Sequence, residues 1–262
     1  MYDYHMHTNA SDDSTAPIDT MIERSLALGL EEIAITDHFD PDYPDPSFSE
    51  MLHLENYKKE LTRVIAQYKD RIKILPGIEV GIRATSIEKW DRVLSEFPYD
   101  FVIGSVHSVE KYTIDEPAFT QLDSKFCTLD YYEYMYNTIK IHDNFDVIGH
   151  LNVIDRYVQE VQPANVYMDI VEAILRETID RGKGIEINTS SFRYGMGELT
   201  TPTIDMLKLY IQMGGEIITT GSDAHRPEDI GDHLDFALKM IVEAGGKYVA
   251  TYRNREPIFN LI

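Results

Sequence analysis

Histidines able to bind metal stand at or just after the ends of short apolar segments in this chain. Six of the nine histidines have such positions: His5, His7, His38, His107, His150 and His225. Two carboxylates have equivalent places, Glu79 in the sequence PGIEV and Asp223 in the sequence GSDAH. Mixed imidazole and carboxylate ligation suits zinc, manganese or iron(II), whereas a closed structural zinc site is usually built with cysteine. These residues therefore predict a metal centre with more than one ion.

The spacing of His5 and His7 has a geometric meaning. Residues i and i+2 of a strand point to the same side, so both imidazoles can hold one ion. Glu79 and Asp223 are of the residue type that bridges two cations. Two metals at about 3.5–4 Å can hold a hydroxide between them and stabilise the attacking and leaving oxygens of phosphoryl transfer. The predicted chemistry is therefore hydrolysis by activated water. The other histidines fall in predicted helices and are expected at the surface: His53, His142 and His233.

The candidate ligands recur at the same position in a repeating secondary-structure pattern, at the ends of the predicted strands. Seven short segments rich in β-branched residues predict strands at 2–5, 32–36, 72–80, 101–106, 146–150, 184–188 and 216–221. Helical periodicity lies between them, with helices predicted at 17–29, capped by Ser14 and Thr15, at 164–181, and from Pro202 to Gly214. The strand-end positions from His7 to Asp223 are spaced by about 36 residues, about the length of one βα unit.

Seven βα repeats predict a parallel sheet with helical crossovers. An open doubly wound sheet and a closed barrel both satisfy that pattern, but no glycine-rich dinucleotide fingerprint follows the first strand. No low-complexity stretch or Pro/Gly/Ser-rich linker marks a domain boundary, so one domain is the simplest interpretation. The least regular stretches, 39–50 and 109–130, are expected to be loops over a site.

Composition excludes some classes of partner. The chain has 24 Lys plus Arg against 45 Asp plus Glu, a net charge of −21, which disfavours a basic nucleic-acid interface. No apolar run approaches the length of a membrane span, and the N-terminal sequence MYDYHMHTNASDD is unlike a signal peptide. Cys127 is the only cysteine, so an intrachain disulfide is impossible. We therefore expect a cytoplasmic protein that binds neither membrane nor nucleic acid.

Seven stretches in this order resemble the polymerase and histidinol phosphatase (PHP) family, and over nearly the full chain its histidinol-phosphatase branch. They are HMHTNASDD at 5–13, ITDHFDP at 35–41, LPGIEVGI at 75–82, IGSVHSV at 103–109, IGHLNVIDRY at 148–157, EINTSSFRYG at 186–195 and TGSDAHRPEDIG at 220–231. The resemblance implies an α/β fold, a distorted (β/α)7 barrel, as a single metal-dependent phosphoesterase domain over 1–262. It also implies two to three divalent ions and the hydrolysis of L-histidinol phosphate to L-histidinol and phosphate in histidine biosynthesis.

The resemblance also implies which residues hold each ion. A first ion would take His5, His7, Glu79 and Asp223. Glu79 would bridge to a second ion held by His107 and His150. A third ion would take His38 and His225 with Asp13, where many relatives have histidine. Asp13 can ligate a metal as a carboxylate or act as a proton donor, and this alternative stays open at the level of sequence.

Two arginines are candidates for binding the phosphoryl group. Arg156 in LNVIDRY follows the fifth predicted strand, and Arg193 in NTSSFRYG follows the sixth. The planar guanidinium matches phosphate geometry, and both positions correspond to phosphate-contacting arginines of the family. The expected mechanism is in-line attack on phosphorus by a metal-bridging hydroxide. The leaving alkoxide would be protonated by Asp13 or by the region of His38.

Other functions fit part of the pattern. The main alternative is a PHP phosphoesterase acting on a nucleotide or sugar phosphate, because relatives share the metal site and differ in their loops. A metal-dependent amidohydrolase or deaminase would leave the paired arginines without a purpose. A noncatalytic metal-binding or polymerase-associated module would be expected to have lost ligands, whereas every ligand position here is occupied.

Overall fold

A parallel sheet of seven strands forms the centre of the structure. The computed structural model describes residues 1–46, 48, 54–196 and 200–262. In spatial order the strands are β1 (Tyr2–Asp3), β2 (Glu32–Ile35), β4 (Lys73–Gly81), β5 (Phe101–Ser105), β8 (Val147–Ile148), β9 (Gly184–Asn188) and β10 (Ile218–Gly221). A further short strand, β3 (His38–Phe39), pairs in parallel with the end of β4.

The first and last strands of this order approach each other and nearly close the sheet. The backbone N–H of Tyr4 donates to the carbonyl of Thr220 at 2.9 Å, and that of His7 to the carbonyl of Ala224 at 2.8 Å. Met6 and Ala224 form a parallel bridge. The predicted (β/α)7 barrel is therefore confirmed, and the open-sheet alternative is wrong because these contacts join β1 to the β10 side.

Helices cover the outside of the sheet. They are α1 (Ile18–Ala27), α2 (Leu54–Tyr68), α3 (Ile87–Ser95), α4 (Pro117–Thr120), α5 (Ser124–Ile141), α6 (Ala164–Asp180), α7 (Ile204–Gln212) and α8 (Leu234–Glu243). Short 3₁₀ turns follow β8 at Val153–Arg156, β9 at Ser190–Phe192 and β10 at Pro227–Asp229. Within the described residues, no helix combines the length and apolar character needed to cross a bilayer.

Helix α6 shows how the periodic pattern produces the packing. Val171, Ile174, Leu175 and Thr178 recur at intervals of three and four and are all buried. Each fully buried aliphatic side chain contributes about 1.5–3 kcal/mol relative to an exposed one. The helix ends before Gly182, which adopts a φ of 68° that favours glycine.

Two helix starts differ from the sequence prediction. Helix α1 has Pro17 at its N-cap with no side-chain cap, because the Ser14 hydroxyl donates instead to the carbonyl of His225 at 2.8 Å. Helix α7 begins at Ile204, not at Pro202, because Thr203 is the capping residue and its side chain accepts the N–H of Met206.

The stretch 109–130, predicted to be an irregular loop, contains regular structure. It includes most of the hairpin β6 (Ser108–Val109) and β7 (Tyr112–Thr113), then α4 and the first turns of α5. The hairpin turns through Glu110 at a φ of 51°, a conformation that the sequence pattern did not reveal. The stretch 39–46 is mostly irregular, whereas residues 47 and 49–50 of that prediction lie outside the described residues.

A C-terminal hairpin packs against the end of the barrel at which the strands begin, and the sequence did not predict it. It consists of β11 (Tyr248–Arg253) and β12 (Glu256–Leu261) in antiparallel pairing. Tyr252 packs with Phe101 and Tyr4 in a separate core cluster inside the barrel. Arg255 contacts Asp146, which directly precedes β8, at 2.6 Å. The hairpin therefore lies at the N-terminal ends of the strands, opposite the predicted site.

Candidate metal centre

The carboxyl ends of the strands bring the predicted ligands together at one rim of the barrel. In a parallel barrel these ends share one face, so residues far apart in sequence can converge. Contacts of 3.6 Å or less link all nine predicted ligands: His5, His7, Asp13, His38, Glu79, His107, His150, Asp223 and His225.

Glu79 lies at the centre of this cluster and is fully buried. Its Oε2 is 3.2 Å from His5 Nε2 and 2.9 Å from His38 Nδ1. Its Oε1 is 3.0 Å from His150 Nε2 and 3.3 Å from His107 Nε2. The two oxygens of one carboxylate therefore face two different groups of imidazoles.

Asp223 gathers a second set of contacts. Its Oδ1 is 3.3 Å from His7 Nε2 and 3.6 Å from both His5 Nε2 and His225 Nδ1. The residue adopts a φ of 54°, a left-handed conformation that aspartate tolerates better than most residues. This turn directs the carboxylate to the same space as the His5 and His7 side chains.

Asp13 connects two histidines at the outer part of the cluster. Its Oδ2 is 2.9 Å from His225 Nε2 and 3.4 Å from His38 Nε2. The imidazole of His7 stacks on both histidines, with ring centroids 4.2 Å from His38 and 4.1 Å from His225. Asp13, His38 and His225, the set predicted for a third ion, therefore lie next to one another, with His7 beside the two histidines.

Several buried polar atoms of the cluster have no hydrogen-bond partner. They are His5 Nε2, His7 Nε2, His38 Nδ1, Glu79 Oε2 and His150 Nδ1. Burying such atoms without partners is costly, and a divalent cation satisfies imidazole and carboxylate donors together. Three groups have ligand atoms close enough to share an ion: His5, His7 and Glu79; His38, Glu79 and His107; and His7, His38 and His225. The residues present therefore fit divalent metal ions.

The charges of two residues of the cluster, Glu79 and His7, suit metal binding. Burial would raise the pKa of the Glu79 carboxyl, but the imidazoles of His5, His38 and His107 hold that pKa well below its usual range. Burial and the neighbouring imidazoles of His225 and His38 lower the pKa of His7 to about 3. Glu79 is therefore a carboxylate and His7 a neutral imidazole at neutral pH, the forms that ligate metals.

The charge of Asp13 bears on the alternative left open by the sequence. Burial would raise the pKa of its carboxyl, but His38 and His225 lower that pKa strongly. A carboxyl group with a lowered pKa carries no proton to donate at neutral pH. This direction favours ligation over proton donation by Asp13.

Two buried carboxylates of the site were missed in the sequence. Glu186 Oε1 lies 2.6 Å from His5 Nδ1, and Asp40 Oδ1 lies 2.8 Å from His107 Nδ1. Asp40 stands two residues after His38, and Glu186 two residues before Asn188. The rule that alternate strand residues share a side, applied to these neighbours as it was to His5 and His7, would have placed both carboxylates on the side of the site, but it does not say which histidine each of them contacts.

Both predicted arginines line a cavity of about 730 Å³ above the cluster, with His38, His107 and His150 also on its wall. Arg156 donates to the Ser190 hydroxyl at 2.8 Å, and its guanidinium lies 3.9 Å from the ring centroid of Tyr194. Arg193 donates to the backbone carbonyls of Ser222 and Asp223 at 2.7 and 2.9 Å. Arg156 Nε and Arg193 Nη1 are buried without hydrogen-bond partners.

The remaining histidines lie away from the cluster or outside the described residues. His142 follows α5 and contacts Asp91, and His233 precedes α8 and stacks on Phe192. Both stand at helix ends, whereas the sequence had predicted them within helices. His53 lies outside the described residues.

A barrel with clustered imidazoles and carboxylates at the carboxyl ends of its strands, beside two arginines, defines a metal-dependent phosphoesterase. The sequence pattern of the PHP domain matches residues 3–190. The chain therefore belongs to the PHP domain family.

Known relatives agree with this placement. A histidinol-phosphatase from Lactococcus lactis subsp. lactis (strain IL1403) is 30% identical, with 95% of this chain and 93% of the relative aligned. The crystal structure of histidinol phosphate phosphatase from that organism, a complex with zinc, L-histidinol and phosphate, is 28% identical, has a TM-score of 0.89 and covers 98% of both chains. A structure from Listeria monocytogenes is 20% identical with a TM-score of 0.80, covers 90% of this chain and 99% of its own, and supports the fold alone.

Proposed function

We propose that this protein, with residues 1–262 as one domain, hydrolyses L-histidinol phosphate to L-histidinol and phosphate in histidine biosynthesis. The observation that carries the proposal is the placement of Arg156 and Arg193 on the cavity that opens onto the cluster around Glu79. The relative from Lactococcus lactis, whose structure holds L-histidinol and phosphate, supports the choice of substrate. A cytoplasmic location belongs to this proposal, since the single cysteine offers no intrachain disulfide.

The nine clustered residues are proposed to hold two to three divalent ions, with zinc, manganese and iron as the candidates. The proposed sets are His5, His7, Glu79 and Asp223 for the first ion, Glu79, His107 and His150 for the second, and Asp13, His38 and His225 for the third. Such ions, when bound, lower the pKa of water and neutralise charge on phosphoryl oxygens.

The arginines are proposed to bind and orient the phosphoryl group. Both guanidinium groups line the cavity, and a phosphate oxygen is a strong acceptor for charged N–H donors. Contacts to Ser190 and Tyr194 hold Arg156, and two carbonyls hold Arg193. Side chains held in this way lose little freedom when phosphate binds, which favours in-line attack by water.

The leaving oxygen needs a proton, for which Asp13 and the region of His38 are the two candidate sources. The charges around Asp13 bear on this choice. Burial would raise the pKa of the Asp13 carboxyl, but His38 and His225 lower that pKa, so Asp13 has no proton to give at neutral pH. We propose that the proton reaches the leaving alkoxide from the side of His38, while Asp13 acts as a ligand.

The organic end of the substrate carries a positive charge, and acidic side chains stand at the mouth of the cavity. Asp115 and Glu116 line its wall after β7, together with Tyr43 and Tyr157. We propose that this acidic loop contacts the amine of histidinol, since opposite charge favours the approach of a cationic group.

The test is a comparison of phosphate release from L-histidinol phosphate, a panel of nucleotides and a panel of sugar phosphates. The expected result is a kcat/KM for L-histidinol phosphate at least about tenfold above every other ester, because the acidic loop selects an amine. A tenfold preference for a nucleotide or sugar phosphate would contradict the proposed substrate and favour the alternative, a PHP phosphoesterase that acts on that ester. Amide hydrolysis without any phosphate release would remove the phosphatase proposal.

A further inference from the structure

We propose that Glu186 is a positioning residue, which fixes the imidazole of His5 and the backbone at His150 in the orientation that metal binding requires. The inference rests on the proposed function, because it assumes ions at the cluster around Glu79. Glu186 belongs to β9 and is 1% exposed. It lies beneath the predicted ligands, so it would act on the metal ions only through them.

Each carboxylate oxygen of Glu186 has a separate task. Oε1 lies 2.6 Å from His5 Nδ1. Oε2 accepts the backbone N–H of His150 at 3.0 Å and the side-chain amide of Asn188 at 3.2 Å. The same Asn188 amide donates to Asp223 Oδ2 at 3.2 Å. One buried carboxylate therefore links predicted ligands that follow three strands, β1, β8 and β10.

The contact with His5 decides which ring nitrogen carries the proton. An ionised carboxylate only accepts hydrogen bonds, so His5 Nδ1 must be the protonated nitrogen. The lone pair then lies on Nε2, which is 3.2 Å from Glu79 Oε2 and 3.6 Å from Asp223 Oδ1. A carboxylate behind a histidine ligand fixes its tautomer and increases its basicity in this way.

The contact with His150 holds an uncommon backbone conformation. His150 has a φ of 22°, which a residue with a side chain adopts only when its surroundings enforce it. The hydrogen bond from its N–H to Glu186 lies at this position, while its Nε2 points to Glu79 Oε1 at 3.0 Å. Loss of the acceptor would free the segment that directs this imidazole.

The packing around Glu186 supports a specific role for the carboxylate. A Cβ atom added at Gly221 would come within 2.4 Å of Glu186 Oε1 and 2.4 Å of His5 Cβ. The glycine at this point of β10 therefore leaves the space in which Glu186 and His5 meet.

Glutamine has the size of glutamate but cannot accept hydrogen bonds at both ends of its side-chain amide. If its oxygen accepts from His5, its NH₂ group faces the N–H of His150 and the amide of Asn188, which are both donors. If it is turned the other way, its NH₂ group donates to His5 Nδ1 and moves the imidazole proton to Nε2, where it blocks ligation. Glu186→Gln should therefore weaken metal binding without creating a cavity.

The experiment measures zinc bound after desalting and the zinc dissociation constant by competition with a chromogenic chelator. We expect Glu186→Gln to bind zinc about ten- to hundredfold more weakly and Glu186→Asp to recover part of the loss. Excess zinc should restore most of kcat, with KM within about twofold of wild type, because Glu186 does not touch the substrate. Glu32→Gln is the matched control: Glu32 is also buried but pairs with Arg253 near the opposite end of the barrel, so its loss should leave zinc affinity unchanged.

Zinc affinity of a folded Glu186→Gln variant within twofold of wild type would overturn the proposal. Nitrogen-15 NMR of the histidines in zinc-loaded wild-type protein gives a second test that needs no variant: a His5 protonated at Nε2 would also overturn it. Neither measurement uses a substrate. Failure of the wild type to hydrolyse L-histidinol phosphate would therefore contradict the proposed function and leave the role of Glu186 standing.

Discussion

Glu79 shows at the scale of one residue how a small group can organise a large site. Its Oε2 faces His5, His7 and His38, and its Oε1 faces His107 and His150, all within 3.6 Å. A carboxylate can do this because each of its two oxygens has two lone pairs. Imidazoles alone would repel one another when protonated, so a central negative charge is needed even before a metal binds.

At the same scale, the arginines should decide how phosphate is held. Replacing Arg156 or Arg193 with alanine removes a charged donor from the wall of the cavity, and we expect kcat/KM to fall by about 10²–10³-fold. Steady-state phosphate release measures the effect. Arg71→Ala is the control. Arg71 forms an exposed ion pair with Glu23, so this substitution should leave kcat/KM unchanged. Full activity of both cavity variants would contradict a role in phosphate binding.

Asp155 should make stability depend on pH. Burial raises the pKa of its carboxyl to about 6. Because the folded protein prefers the protonated form, this contribution to stability is complete below about pH 4 and is lost as pH rises through 6. Asp155→Asn should therefore unfold with a free energy up to about 3 kcal/mol higher than wild type at pH 8, with no difference near pH 4.

Urea denaturation of wild type and Asp155→Asn at several pH values tests this prediction. Other titrating groups affect both proteins equally and cancel in the difference. A difference in unfolding free energy that stays constant between pH 4 and pH 8 would show that Asp155 has an ordinary pKa.

At the scale of elements, the predicted site and the C-terminal hairpin lie at opposite ends of the barrel. The loops after the strands carry the predicted site, whereas the β11–β12 hairpin packs at the other end through Tyr252, Phe101 and Tyr4. The site therefore depends on strand ends, and the hairpin on buried apolar surface. Changes in the hairpin should affect folding and leave turnover unchanged.

Tyr252→Ala tests that separation. Removing this side chain, which is 1% exposed, should lower the unfolding free energy by about 3–5 kcal/mol, in the range found for large core aromatic residues. Urea unfolding measures the loss, and kcat/KM at 25 °C should stay within about twofold of wild type. Phe259→Ala, at a site that is 45% exposed, is the matched control and should cost less than about 1 kcal/mol. A large loss of kcat/KM in folded Tyr252→Ala would show that the two ends are coupled.

At the scale of the whole molecule, the net charge of −21 is mostly a property of the surface. Of the 45 acidic residues, the cluster uses Glu79, Asp223 and Asp13 as predicted ligands, with Glu186 and Asp40 behind two histidines. This composition favours metal ions over nucleic acid as partners. It gave no indication of the arginines that face the cavity.

Metal removal should affect the whole molecule. Dialysis against a strong chelator is expected to abolish phosphate release and to lower the melting temperature, because ions that bind only the folded state stabilise it. At a free metal concentration 100 times the Kd this stabilisation is about 2.7 kcal/mol. Added zinc or manganese should restore both properties. Unchanged activity and melting temperature in protein shown to be metal-free would exclude a metal centre.

Much of the fold and of the candidate site could be predicted because the relevant patterns are local. The β-branched segments between helical stretches predicted all seven barrel strands, and β9 has the predicted bounds. His7 and His38 could be placed at one rim because the ends of parallel strands share a face. The β6–β7 hairpin was missed because its two-residue strands are too short for an alternating pattern to be visible.

The sequence by itself determined the repeated βα units and the residue types at the strand ends, since periods of two and of 3.6 residues are properties of the local chain. Only the tertiary structure decided which side chains meet. Glu186 contacts His5 across 181 residues, Asp40 contacts His107 across 67, and the C-terminal hairpin reaches Tyr4. Such contacts form only when the barrel closes, and no local pattern records which distant residues closure will bring together.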